Sequence, residues 1–233
     1  GSGTWDNVFR IYAPQLERGK VTTFTPTSGE AVSRGTNFTP AFQDTAASKP
    51  VYSKDADGVQ AVSFDGTNDF FRTSIETPVA GYIAGVWMTK TDGLAKGMFS
   101  SSNAVAVAGA RLNKSATTDR ATMNRLDGTI NAAAQGTTTL SSKKFVVDGH
   151  YTATDASIRV NGGTENTSAT ALTATSTNYF RIGAEGSGGE TQTNYWDGKM
   201  LAQIWIPGER PGADNEARIR QLLAQICEVE DVV

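Results

Sequence analysis

Glycine preceded by Asp or Asn recurs along this chain, at Asp57-Gly58, Asp65-Gly66, Asp92-Gly93, Asp127-Gly128, Asp148-Gly149, Asn161-Gly162 and Asp197-Gly198. Such dipeptides tolerate the positive φ of tight hairpin turns, so they limit the length of any regular element between them. The segments they separate have strand character. Tyr82-Ile83-Ala84-Gly85-Val86-Trp87-Met88 is apolar nearly throughout, which suits a strand buried on both faces. Ser157-Ile158-Arg159-Val160 alternates, with Ile158 and Val160 on one face, and runs into Asn161-Gly162-Gly163 as a hairpin does. Tyr179-Phe180-Arg181-Ile182-Gly183 alternates in the same way, and Met200-Leu201-Ala202-Gln203-Ile204-Trp205-Ile206 is another largely apolar strand. Many short strands with turns between them and little helix predict a β-sandwich or barrel.

Composition narrows the chemistry. The chain has 233 residues, a formal charge of −3, 19% charged residues and 24 glycines, and about 30 threonines make Thr its commonest residue. An all-β domain of more than 200 residues is ordinary. No run of about 18 apolar residues is present, so no segment reads as a membrane-spanning helix. A slightly acidic balance without a Lys/Arg cluster argues against a nucleic-acid partner. A single Cys permits neither an internal disulfide nor a thiolate metal site, and a single His removes His-rich zinc sites. Gly1-Ser2-Gly3 reads as an expression scar rather than a signal peptide, since no apolar stretch follows it.

One helix interrupts the strand pattern. Over about residues 213–228, apolar side chains fall at Ile219, Leu222, Leu223 and Ile226, the spacing of one buried stripe. Pro211-Gly212 stops the preceding strand, Asp214 is placed to cap the helix, and Glu216 lies in its first turn. Glu228, Glu230 and Asp231 stand at the unfavourable end of the dipole, which predicts a frayed tail. Cys227 beside the stripe reads as a buried structural thiol. Residues 1–47 read otherwise. Pro14, Pro26 and Pro40, with Thr22-Thr23-Phe24-Thr25, sustain neither period. They predict an arm that packs on something, with the compact domain spanning 48–233.

The order of the segments carries a resemblance. Val62-Ser63-Phe64-Asp65-Gly66-Thr67-Asn68-Asp69-Phe70-Phe71 looks like an opening strand and turn, and Ala84-Gly85-Val86-Trp87-Met88 like a central strand ending in Trp. Ala156-Ser157-Ile158-Arg159-Val160-Asn161-Gly162 follows as a hairpin. Phe180-Arg181-Ile182-Gly183, then Tyr195-Trp196-Asp197-Gly198 through Ile206 and the helix, close the series. From Val51 to Ala224 the chain thus resembles the concanavalin A-like jelly roll of the laminin-G-like type. That resemblance implies an all-β sandwich with one C-terminal helix, behind an extended N-terminal arm. A second resemblance covers the arm. Tyr12-Ala13-Pro14-Gln15-Leu16-Glu17-Arg18-Gly19, followed by Phe24-Thr25-Pro26-Thr27-Ser28-Gly29-Glu30-Ala31-Val32-Ser33-Arg34, is similar to the segment closing carbohydrate-binding modules in bacteriophage tail and virion proteins. It implies a C-terminal piece of a longer phage or prophage virion protein, in a tail fibre, spike or decoration. Such a piece would sit on the particle surface beside other virion subunits, in a symmetric oligomer such as a homotrimer.

Glycanases of the concanavalin A-like group place acids at alternate positions of one strand. No strand-like segment here has that pattern; the nearest acidic groups are Asp65 with Asp69 in a turn, and Glu228-Val229-Glu230-Asp231. His150, after Asp148-Gly149, reads as a surface turn residue, and no Gly-x-Ser-x-Gly elbow exists. Gly183-Ala184-Glu185-Gly186-Ser187-Gly188-Gly189 lacks the Lys and Ser/Thr of a phosphate loop and reads as an exposed loop. Relatives of the fold bind Ca²⁺ through Asp, Asn and backbone oxygens, and Asp65, Asn68 and Asp69 are ligands of that type. A plain Asx turn accommodates the same residues. Sugar binding fits the composition best, since polyols are held by planar amides and carboxylates beside an aromatic face. The candidates are Asn68, Asp69, Asn194 and Tyr195 on loops expected near one end of the sandwich. Tyr151 is added as an aromatic platform, with Arg111 and Arg125 to meet acidic glycans. Trp87, Trp196 and Trp205 read as core, and Trp5 belongs to the arm. The expectation is a non-enzymatic virion domain binding host-surface carbohydrate, without nucleic-acid partner or membrane insertion. A purely structural assembly module is the alternative, and a glycan-cleaving enzyme the third reading.

Overall fold

The computed structural model describes residues 9–12, 15–18, 41, 43–90, 92–102, 109–126, 131–169, 178–186, 192–208, 210–230 and 232. A hairpin of β1 (Phe9–Tyr12) and β2 (Gln15–Arg18) comes first. It is followed by β3 (Val51–Lys54), β4 (Gln60–Asp65), β5 (Phe71–Glu76), β6 (Gly81–Thr89) and β7 (Lys96–Ser100). Next come β8 (Gly109–Lys114), β9 (Arg120–Leu126), β10 (Asn131–Thr139) and β11 (Phe145–Tyr151). Then β12 (Asp155–Val160), β13 (Asn166–Ala169), β14 (Tyr179–Ile182), the short β15 (Glu185–Gly186) and β16 (Gln192–Thr193), and the long β17 (Asp197–Pro207) lead to α1 (Ala213–Cys227). One sheet runs β13-β12-β11-β6-β17-β1-β2, with β4 also on β17 and β3 on β4. The other runs β10-β9-β8-β7-β14-β5, and β15 and β16 form a separate ribbon. All these pairings are antiparallel, and the expected all-β sandwich with one C-terminal helix is what forms. Part of the arm packs on the sandwich itself, where β1 pairs with β17 from Phe9↔Trp205 to Tyr12↔Ala202.

Asn161 and Gly162, both at positive φ (50° and 71°), turn β12 toward β13 as their types predict. Two of the Asx-Gly pairs are not turns. Asp197-Gly198 opens β17, and Asp148-Gly149 lies inside β11. Gly149 serves packing there, because a Cβ would meet the Met123 sulfur of the opposite sheet at 2.9 Å. Asp127-Gly128 and Trp5 lie outside the described residues.

Between the sheets, Phe64, Ile83, Trp87, Phe99, Leu112, Met123, Phe180, Trp196 and Trp205 form the main core. Trp87 and Trp196 meet edge-on at 5.2 Å, and Phe99 stacks on Phe180 at 4.3 Å. The indole N–H groups of both tryptophans are satisfied, Trp87 Nε1 donating to Gln203 Oε1 (3.1 Å) and Trp196 Nε1 to the Met88 carbonyl (3.1 Å). The three tryptophans expected in the core are there. A second apolar layer lies under α1, where Tyr82, Ala84, Val86, Val146, Ala202 and Ile204 meet Leu223, Ala224 and Cys227. β6 is therefore covered on both faces, which is why its sequence does not alternate. Burial pushes the Cys227 thiol up to about 12, as befits a structural thiol.

The helix has the expected span but presents a different face. Its buried residues are Glu216, Arg220, Leu223, Ala224 and Cys227, whereas Leu222 and Ile226 are exposed. Gly212, not Asp214, occupies the N-cap position, without a side-chain cap. The rotation follows from charge. Arg220 Nη1 donates to Asp148 Oδ2 on β11 (3.1 Å), and Glu216 holds Arg210 through Nε (2.5 Å) and Nη2 (2.9 Å). Arg210 Nη1 continues to Glu165 Oε1 (2.6 Å), whose Oε2 accepts from Arg159 Nη2 (2.6 Å). Buried charges must be paired, so this chain of alternating sign decides which helix face turns inward.

Replacing Trp87 by Ala is expected to cost about 3–5 kcal/mol, read as a large drop in the urea midpoint, against under about 0.5 kcal/mol for Val51→Ala on the surface. A second expectation concerns pH. Burial raises the Asp148 carboxyl to about 6 from its ordinary 3.8, so the folded state binds more protons in that interval. Its contribution to stability therefore falls as pH rises through the interval and is level above it. Glu165 acts oppositely. Arg210 first, against burial, then Ser157 and Arg159, hold it at about 2, so its contribution is complete above 4.5 and lost as pH falls toward 2. Urea titrations across this range should show Asp148→Asn flattening the decline between about pH 4 and 6 while leaving the acid limb unchanged.

Candidate functional site

Over residues 110–113 and 121–124, β8 and β9 alternate apolar and polar. Ala110, Leu112, Ala121 and Met123 face the core, which leaves Arg111, Asn113, Thr122 and Asn124 on the opposite face of the six-stranded sheet. Register sets Arg111 beside Asn124 and Asn113 beside Thr122. The β15–β16 ribbon folds against this sheet and is stitched to β7. Gly183 N–H donates to the Met98 carbonyl (2.9 Å), Gly97 N–H to the Asn194 carbonyl (2.7 Å), and Trp196 N–H to the Gly183 carbonyl (2.8 Å). Gly97 permits the approach, because a Cβ there would overlap the backbone of Ala184 and Glu185.

The ribbon thereby delivers a carboxylate to the polar face. Glu185 is 1% exposed, and its Oε1 accepts from Asn113 Nδ2 (2.7 Å). Its Oε2 accepts from Asn194 Nδ2 (2.7 Å) and Arg111 Nη1 (3.3 Å), and Asn124 Nδ2 donates to Asn113 Oδ1 (3.0 Å). Both oxygens are satisfied, as a buried charge requires.

The turn after β4 lies next to this ribbon. Asp65 pairs in register with Asp197, which takes Lys90 at 2.9 Å, and the Phe70 ring lies 6.2 Å from that of Tyr195. Tyr195 donates its hydroxyl to the Gln192 carbonyl (3.3 Å). Asp65 Oδ1 accepts the backbone N–H groups of Thr67 (2.8 Å), Asn68 (3.1 Å) and Asp69 (3.4 Å). Asp69 Oδ2 accepts the Asp65 N–H (3.0 Å). Against burial, the backbone donors hold the Asp65 carboxyl below its ordinary range, while burial and then the Asp65 charge raise that of Asp69. Asp65, Asn68 and Asp69, the residues expected as Ca²⁺ ligands, lie together in an Asx turn, in which one oxygen of each carboxylate accepts backbone N–H groups. Among the described residues no cluster of three or more His, Cys, Asp or Glu side chains suits a metal ion.

Of the residues singled out in the sequence, Arg111 and Asn194 are brought together by Glu185, and the Asn68–Asp69 turn is brought to Tyr195 through Phe70, with the Asp69 side chain itself buried. Tyr151 and Arg125 are not. Tyr151 is fully buried, and Arg125 is 1% exposed with its guanidinium 6.0 Å from the Tyr151 ring. Arg125 Nη1 donates to the carbonyls of Gly109 (2.8 Å) and Leu126 (3.1 Å). Its position two residues after Met123 puts it on the core side, so neither residue can be a surface contact. His150 is buried in β11 rather than exposed in a turn, and burial lowers its pKa, favouring the neutral ring. Ala184 and Glu185 are buried as well, so the part of the glycine-rich segment within the described residues is no exposed loop. Asn113 and Asn124 went unrecognised, although polar residues at alternate positions of adjacent apolar strands do signal a polar face.

No family model matches the chain, and no curated protein does. Solved structures do. The sandwich is similar to the CBM40 of Ruminococcus gnavus IT-sialidase bound to α2,3 sialyllactose, with TM-score 0.51 and 10% identity over 70% of this chain and 95% of that one. It is similar to domain 4 of AbnA, a GH43 extracellular arabinanase from Geobacillus stearothermophilus, in complex with arabinotriose (TM-score 0.52, 10% identity, 79% and 84% coverage). The binding domain of botulinum neurotoxin DC in complex with SialylT matches at TM-score 0.58 and 7% identity, over 94% of this chain and only half (50%) of that one. The fold is a jelly-roll β-sandwich. At such identities the likeness establishes the fold, and the side chains of the edge are this chain's own.

Seating of the ribbon is testable. Gly97→Ala is expected to lose about 1–3 kcal/mol through the forced backbone overlap, with faster amide exchange at residues 183–186 and 192–196 than in β11.

Proposed function

We propose that this chain is a non-enzymatic carbohydrate-binding module whose ligand sits on the edge formed by Asn68, Asp69, Arg111, Asn194 and Tyr195. The observation that carries the reading is the buried Glu185 carboxylate, which holds both Arg111 and Asn194, the residue before Tyr195. Sugars offer hydroxyl pairs at fixed spacing and an apolar ring face. Planar amide and guanidinium groups beside an aromatic ring match both, and side chains held in place lose little entropy on binding. The shared fold supports this, since the CBM40 structure holds sialyllactose and the arabinanase domain holds arabinotriose. Binding rather than cleavage is favoured by the carboxylates themselves. Asp65 and Asp69 serve the backbone of their own turn, and Asp148 and Glu216 are tied to Arg220 beneath the helix.

The wider setting we propose is the surface of a phage or prophage virion, in a tail fibre, spike or decoration, with other virion subunits as neighbours and a glycan of the host surface as ligand. This rests on the resemblance of Pro14-Gln15-Leu16-Glu17 and Pro26-Thr27-Ser28-Gly29 to segments of phage tail and virion proteins. A weak site repeated in a homotrimer and over many copies would hold a cell through avidity.

Glycan arrays and calorimetry with host polysaccharides should reveal binding that persists in EDTA, because Arg111, Asn194 and Tyr195 are held by groups of the chain itself. Tyr195→Ala should weaken it about tenfold or more, the worth of an aromatic contact, while the lost Phe70 contact costs about 0.5–1.5 kcal/mol of stability, read as a small drop in the unfolding midpoint. Binding to no glycan, with or without Ca²⁺, would sink the proposal. If a stable oligomer also protected Tyr195, the chain would instead be an assembly module.

A further inference from the structure

We infer that this edge selects neutral glycans and rejects acidic ones, because Glu185 already occupies the place on Arg111 that an acidic ligand would take. The inference rests on the carbohydrate-binding reading and adds the class of sugar. Of the two arginines that the sequence offers for acidic glycans, Arg111 alone reaches the edge, since Arg125 is enclosed in the core. Its guanidinium faces Glu185 Oε2 at 3.3 Å, with side chains 14% and 1% exposed. A buried carboxylate is screened little by salt, so a ligand carboxylate or sulfate drawn to Arg111 would meet a fixed like charge at close range.

The surrounding cations among the described residues are committed too. Lys114 bridges Asp92 (2.6 Å) and Asp119 (2.5 Å), Lys96 lies 3.9 Å from Asp92, and Lys90 holds Asp197 at 2.9 Å. Arg181 Nη1 donates to the carbonyls of Tyr179 (3.1 Å) and Phe180 (3.2 Å), and Arg72 lies over the Phe70 ring at 5.9 Å. Asp65 and Asp69 add negative charge along the same edge. An acidic ligand would shed water without gaining an uncommitted cation. A neutral polyol asks for none. Tyr195 offers its ring and Asn194 its exposed amide.

The test uses the intact chain and matched oligosaccharide pairs, each a neutral glycan and its sialylated or uronate-bearing counterpart, such as lactose and sialyllactose. The neutral member should bind at least about tenfold tighter, with affinity unchanged between about 20 and 500 mM salt, since no ion pair to ligand forms. Glu185→Gln keeps the shape, removes the charge, and should narrow or invert the preference about tenfold. Equal or tighter binding of the acidic members by the unmodified chain, or binding that collapses with salt, overturns the inference while leaving glycan binding intact. Absence of binding to both members of every pair overturns the carbohydrate reading and this inference with it. Should Glu185→Gln not fold, the pair and salt comparisons on the unmodified chain decide alone.

Discussion

The pairing of β6 with β17 is the constraint on which the rest of the molecule depends. The two strands run together from Gly198↔Thr89 to Pro207↔Gly81, and β17 also carries β4 at one end and β1 at the other. Both are buried on both faces, so their backbone groups have no water to turn to and must find each other. The Trp87–Gln203 hydrogen bond crosses this pair, in space left because Gly85 has no Cβ; one there would lie 2.7 Å from both side chains. Trp196, immediately before β17, packs against Trp87 and fixes where the preceding ribbon re-enters the sandwich.

Two buried charge systems flank this central layer, and the same physics builds both. Under the helix, Arg159, Glu165, Arg210, Glu216, Arg220 and Asp148 alternate in sign, and the helix turns a charged face inward to complete the series. On the other sheet, a single carboxylate is neutralised by one guanidinium and two amides. The first system attaches a helix, and its partly exposed members Arg159, Glu165 and Arg210 are committed to one another. The second holds its partners at the rim, where Asn194 is exposed and Arg111 partly so. A buried ion pair of this kind contributes little net stability but specifies one arrangement, which suits the proposed binding edge.

The division of labour explains how a fold persists at 7–10% identity. Jelly-roll sandwiches share a pattern of inward apolar residues and strand order, and many sequences satisfy that pattern. The proposed binding edge instead depends on which loop residues a rigid frame happens to bring together. Here the frame brings the turn after β4 against the ribbon before β17, and the Phe70–Tyr195 contact joins them.

Local pattern made much of this architecture legible. The unbroken apolar runs of β6 and β17, the alternation in β12 and the span of α1 are all nearest-neighbour properties, as is the Asn161-Gly162 turn. Loops holding Asn68, Asp69, Asn194 and Tyr195 could be placed near one end by strand order alone. Three features were beyond reach. Asp148-Gly149 has turn propensity, yet pairing with β6 and β12 on either side overrides it. The inward face of the helix is chosen by Arg220 for an aspartate 72 residues earlier. Glu185, set among glycines, becomes the centre of the edge through Arg111 and Asn113, 74 and 72 residues before it. Periodicity reports how a segment meets an apolar layer, because burial depends on the segment's own spacing. It cannot report which distant charge will be waiting there, since a buried ion pair is defined by a partner that only the folded chain supplies.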